Sequence, residues 1–173
     1  MKKFFLTLIA ILALSSSCLA ATQVRISDYN LNQFFHAYNQ AATVMKNNFA
    51  FGEFPVKAFS GDAYDAYLAT CGQYGHAVAV GIFVNGDGHV AKITLSFTSN
   101  DQIALDCSSD VFFNVLVALG VNEQELQTLS QQIKNKSSRL VVPCSALKRF
   151  IVVDVANDEA HGVTNIRLIG AVN

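Results

Sequence analysis

The stretch HAVAVGIFVNGDGHVAKITLSFTSND, residues 76–101, leaves this chain few choices of fold. Its second half alternates, with Ile93, Leu95 and Phe97 pointing one way and Lys92, Thr94 and Ser96 the other, the pattern of a half-buried strand. Asn85-Gly86-Asp87-Gly88 joins it to an equally apolar run, and such Asn/Asp-Gly pairs supply the turn conformations that hairpins need. Residues 77–84 and 90–98 are therefore predicted to form an antiparallel hairpin. The acidic turn is not read as a calcium loop, because it offers too few carboxylates and no downstream bidentate glutamate. A hairpin with one apolar face has to be covered, and the rest of the chain supplies the cover.

Leu31, Phe34, Phe35, Tyr38, Ala42, Met45 and Phe49 recur at three- and four-residue spacing and predict an amphipathic helix over about 28–48, capped by Ser27 or Asp28. FGEFPVKAF follows as a short strand or extended loop. Asp62 is read as opening a second helix with Tyr64, Tyr67, Leu68 and Cys71 on one face, ended by Gly72. A strand over Gln102–Asp106 is expected after the turn at 99–101. Ser109 or Asp110 then caps VFFNVLVALG, apolar almost all round and so buried on most sides. Asn122 with Glu125 makes a capping box for a helix turning Leu126, Leu129 and Ile133 inward. Strands at about 139–143, 148–156 and 163–171 complete the chain, with Pro143 marking an edge or bulge. The sum is one α+β domain over residues 21–173, an antiparallel sheet of about five to six strands packed against about four helices. The expected inward set includes Phe34, Phe35, Ile93, Leu95, Phe97, Phe113, Leu116, Ile151, Val153, Ile166 and Leu168.

The first twenty residues read as an address. Lys2 and Lys3 precede an apolar run from Phe4 to Leu14, and Cys18-Leu19-Ala20 places small residues where a signal peptidase cuts, after Ala20. Leu14-Ser15-Ser16-Ser17-Cys18 also resembles a lipobox, in which Cys18 would be acylated, although its Leu stands four residues before the Cys rather than three. Either way the expectation is an exported protein, periplasmic or secreted. The chain is 51% hydrophobic with a net charge of −1, and losing Lys2 and Lys3 leaves −3. No basic run remains to neutralise phosphates, which argues against nucleic acid and against a polybasic membrane-surface site.

In an oxidising compartment Cys71, Cys107 and Cys144 are disulfide candidates. Three cysteines allow one bridge and leave one thiol; all pairings stay open, with Cys71–Cys107 favoured. Phosphate-binding loops, Cys-x-x-Cys, His-Glu-x-x-His and Gly-x-Ser-x-Gly are all absent. A zinc site from Cys71, His76 and His89 rests only on a Cys-x4-His spacing that chance supplies readily, so no metal and no cofactor is expected. One catalytic constellation remains. Cys107, read as opening a helix, would feel the positive end of the helix dipole, and His76 or His89 could serve as its base. Asp106-Cys107-Ser108-Ser109 before an apolar helix resembles the nucleophile motif of papain-like cell-wall endopeptidases, and 76–89 is similar to the His strand of their circularly permuted acyltransferase-like relatives. That resemblance implies a hydrolase or acyltransferase with Cys107 as nucleophile and His76 as base. The leading expectation is instead a non-enzymatic exported binding, inhibitor or envelope accessory protein, its partner unidentified. Intact mass of the processed protein checks the address: it should begin at Ala21, and added acyl mass on Cys18 would replace that reading with the lipoprotein one.

Overall fold

The expected hairpin is the centre of a larger sheet. The structure, a computed structural model, describes residues 22–73, 76–135 and 140–172; the signal segment and Cys18 lie outside the described residues. In chain order the strands are β1 Thr22–Val24, β2 Val56–Ser60, β3 Tyr64–Gln73, β4 His76–Asn85, β5 Val90–Thr98, β6 Leu140–Cys144, β7 Arg149–Asp158 and β8 Val163–Val172. The helices are α1 Leu31–Val44, α2 Gln102–Ala118 and α3 Glu123–Lys134. All strand pairs are antiparallel and the order is β2-β3-β4-β5-β8-β7-β6, with β1 added to the end of β8. The class is α+β as expected, with eight strands and three helices among the described residues rather than five to six and four.

Two sequence expectations fail, each for a physical reason. Residues 62–71 are not a helix ended by Gly72. They enter β3, which pairs with β4 over ten residues from Tyr64↔Asn85 to Gln73↔His76. Spacing of three and four among Tyr64, Tyr67, Leu68 and Cys71 mimics a helical face. The real period is two: Ala69 and Cys71 are buried, while Leu68 and Thr70 are exposed. Long-range pairing outweighs local preference here. Likewise Gln102–Asp106 is not a strand but the start of α2, because the Asp101 carboxylate accepts from Ile103 N and Ala104 N and so caps the helix. Ser109 and Asp110, expected as caps, therefore lie inside the helix, and the neighbouring Ser108 donates its hydroxyl back to Leu105 O at 2.8 Å. The cap of α1 also moves, from Ser27 or Asp28 to Asn30, whose side chain exchanges hydrogen bonds with Gln33. The α3 capping box of Asn122 and Glu125 forms as read.

One contiguous core joins the covered face of the sheet to all three helices. Of the expected inward set, Phe34, Ile93, Leu95, Phe97, Leu116, Ile151, Val153, Ile166 and Leu168 are buried, and Phe35 and Phe113 pack half-buried against them. Helix α2 is buried nearly all round, between α1 and strands β3, β4 and β5. Its Asn114 is fully buried and needs a partner there. Asn47 supplies both halves of a reciprocal amide pair, Nδ2 to Oδ1 at 2.9 and 3.0 Å. Asn39 holds Phe51 N and O in the same way, and Tyr38 donates its hydroxyl to Phe49 O. These bonds fix the irregular segment 47–54 to the helices.

The N-terminal segment is fixed differently. Chain 24–25 crosses β8 so closely that a Cβ on Gly170 would lie 2.6 Å from Arg25 O, so only glycine fits. Arg149 then clasps the segment, donating to Arg25 O at 2.7 Å and to Asp28 at 3.1 Å. Arg25 also donates to Asp28, and these guanidiniums hold the Asp28 carboxyl below its usual range.

Asn114→Ala should destabilise the fold by about 1–3 kcal/mol, since it strands the Asn47 amide in the interior. Amide exchange at Phe49 and Phe51 should rise more than at Leu95. Unchanged exchange at 47–54 would mean that the pair does not hold the segment.

Candidate functional site

The structure keeps the two nominated histidines apart. His76 begins β4, and His89 lies past its far end in the turn before β5. Ten strand residues span about 30 Å, so the two histidines cannot share a metal with Cys71 or both serve Cys107. His89 donates its backbone N–H to Asn85 Oδ1, and its ring Nδ1 is buried without a hydrogen-bond partner. Cys107 does not open α2. It sits more than a turn inside a helix that begins at Gln102, past the reach of the dipole's positive end, and is 4% exposed.

All three described cysteines are buried, and no disulfide joins any two of them. Cys71, on β3, lies 3.4 Å from the Tyr38 hydroxyl. Burial pushes its thiol up to about 11, with the Tyr38 hydrogen bond pulling the other way. Burial also raises the Tyr38 hydroxyl pKa, so both groups stay neutral. Cys144 ends β6 and donates to Leu119 O at 3.3 Å, and burial raises its pKa too. A thiolate nucleophile needs the opposite environment, exposed and electropositive.

The open part of the molecule lies elsewhere, at the corner made by β2, the start of β3 and the N-terminus of α1. Large apolar side chains stand exposed there: Phe54 at 46%, Val56 at 67%, Phe59 at 65% and Leu68 at 44%. The register explains three of them. Val56 pairs with Leu68 and Phe59 with Ala66, so these side chains share the sheet face that no helix covers. On the covered face, Lys57 reaches Asp65 at 2.8 Å and stands 6.0 Å over the Tyr67 ring. The pair lowers the Asp65 carboxyl, with Ser60 helping, and raises the Lys57 ammonium.

Two clefts flank Phe54, whose ring rests against Phe35 at 5.1 Å. The larger, about 520 Å³, runs between the start of α1 (Asn30–Asn32), the β2–β3 turn (Gly61–Asp62), Tyr67 and the β4–β5 turn. The smaller, about 390 Å³, lies along β2 against Leu68 and Thr70. Their volumes are those of ordinary ligand sites. Sequence reasoning missed this corner because four separated segments build it. The one signal available was Gly61-Asp62 between two aromatic runs, which reads equally well as a helix start. Among the described residues no His, Cys, Asp or Glu group is arranged to hold a metal, and no helix is long and apolar enough to cross a membrane. Comparison with protein-family models, curated proteins and solved structures returns no match.

Thiol labelling tests the burial. In the native protein at pH 7.5, Cys71, Cys107 and Cys144 should resist iodoacetamide for hours, and all three should react in denaturant without reductant. Rapid native labelling of Cys107 alone would revive it as a nucleophile, and a count of one thiol in denaturant would reveal a bridge.

Proposed function

We propose that this is an exported, non-enzymatic binding protein that engages its target through the β2–β3 corner. The observation that carries the reading is the concentration of exposed apolar side chains there. Phe54, Val56, Phe59, Tyr64 and Leu68 all lie within fifteen residues of chain, while among the described residues Val44, Met45 and Ile103 are the other large apolar side chains exposed. Scattered apolar residues on a surface need no explanation, but a contiguous patch beside clefts marks a contact site. The burial and raised pKa of Cys71, and the burial of Cys107, favour binding over covalent catalysis. The signal-like leader supports action in the periplasm or outside the cell.

Photo-crosslinking in the intact source cell checks this. A benzophenone side chain at Phe59 or Leu68 should give discrete adducts, and the same probe at Val44 or Ile103 should give none. Adducts from all four positions, or from none, would remove the β2–β3 corner as the contact surface.

A further inference from the structure

The larger cleft has a chemistry of its own, and it specifies a ligand class. We propose that it binds a neutral saccharide, an assignment that rests on the binding reading above and names its ligand. Three properties of the lining carry it.

The first is an aromatic wall. Phe54 leans on Phe35 from one side and is 46% exposed, so the remainder of its ring is available to a ligand. Tyr67 forms part of the floor and Tyr64 stands at the rim, 39% exposed. A sugar ring has a face of C–H groups, which packs on an aromatic face as any apolar surface does. The second is a mixed set of hydrogen-bonding groups around that wall. The exposed Asn32 amide both donates and accepts, and the exposed Asp62 carboxylate accepts. Asn30 and Asn85 spend their side-chain oxygens on Gln33 N and His89 N, which leaves their amide N–H groups to donate. Sugar hydroxyls both donate and accept, and they match such a rim where a hydrocarbon or a bare ammonium does not.

The third is charge. The lining holds Asp62 and Asp65 and no Lys or Arg; of the cations beside it, Lys57 is committed to Asp65 and Lys92 stands 5.1 Å over the Tyr64 ring at the rim. A phosphate or carboxylate ligand would meet repulsion, so sugar acids and phosphosugars are selected against. Glycines at the mouth, Gly86 and Gly88, have open space where a side chain would project, which leaves the entrance unobstructed. The volume of about 520 Å³ has room for two or three sugar units.

The experiment is a screen of the mature protein on an array of neutral, amino and acidic oligosaccharides, followed by ¹H–¹⁵N NMR titration with the best neutral binder and with spermidine as a cationic probe. Neutral sugars should be retained and acidic ones not, with resonance shifts at Asn32, Asp62, Tyr67 and Gly86. Phe54→Ala should weaken binding about tenfold or more. Asn32→Ala and Asp62→Ala, both at exposed positions where folding is not at stake, should each weaken it about fivefold. Retention of no neutral sugar, binding unaffected by all three substitutions, or tighter binding of spermidine overturns the assignment. Loss of sugar binding with crosslinks at Phe59 intact would sink the saccharide alone; loss of both would take the binding reading with it.

Discussion

The irregular segment 47–54 is held by a buried amide pair, with Asn39 and Tyr38 adding their own bonds to it. Asn114, in the C-terminal part of α2, is fully enclosed, and an unpaired amide there would be costly. Asn47 satisfies both its donor and its acceptor. That bond draws segment 47–54 down onto the helices. Phe51 then stacks on Tyr38 with ring centroids 3.9 Å apart, and Phe54 settles against Phe35. The wall shared by both clefts is thus placed by a polar contact in the interior. Apolar burial stabilises the sheet and helices, and the amide pair decides where the loop goes.

Much of the regular structure was legible because sequence and environment agreed on a period. Strands β5 and β8 alternate, β7 carries a short apolar run, and α3 announces itself with Asn122 and Glu125. Glu125 shows how completely the box is used. Burial opposes its charge, but hydrogen bonds from Ser145 and Asn122 hold its carboxyl below the usual range. Misreadings came where one residue pattern satisfied two periods, as in β3, or where an interior serine imitated a cap, as in α2. Strand β1 was illegible for another reason: three residues carry no period at all. The corner was hidden because Asn32, Phe54, Asp62, Tyr67 and Gly86 become neighbours only after the sheet has formed.

The cysteines show why residue type alone is weak evidence of chemistry. A serine-flanked cysteine before an apolar helix suggests a nucleophile until the helix is found to start five residues earlier. Once it does, Cys107 becomes one more buried side chain among Val111, Phe112 and Val115. Cys71 and Cys144 tell the same story with different neighbours, a tyrosine hydroxyl and a helix-end carbonyl. Small and apolar, a buried thiol packs well whether or not it ever reacts.

The two borders of the sheet are not alike. On β6, the outward N–H and C=O of Val141 are both taken by the side chain of Gln132, at 2.9 and 2.8 Å, and Pro143 has no N–H to offer. Strand β2, exposed along its whole length, carries no such plug. Strand addition is therefore possible on one side only. Two molecules meeting through β2 would consume the adhesive border of both and leave blocked borders facing outward. A fibre needs two sticky ends per subunit, and among the described residues the β6 border is blocked at Val141 and Pro143. By taking both outward groups of Val141, Gln132 acts as a chain terminator: a strand added along β2 would not propagate through β6 into an endless sheet.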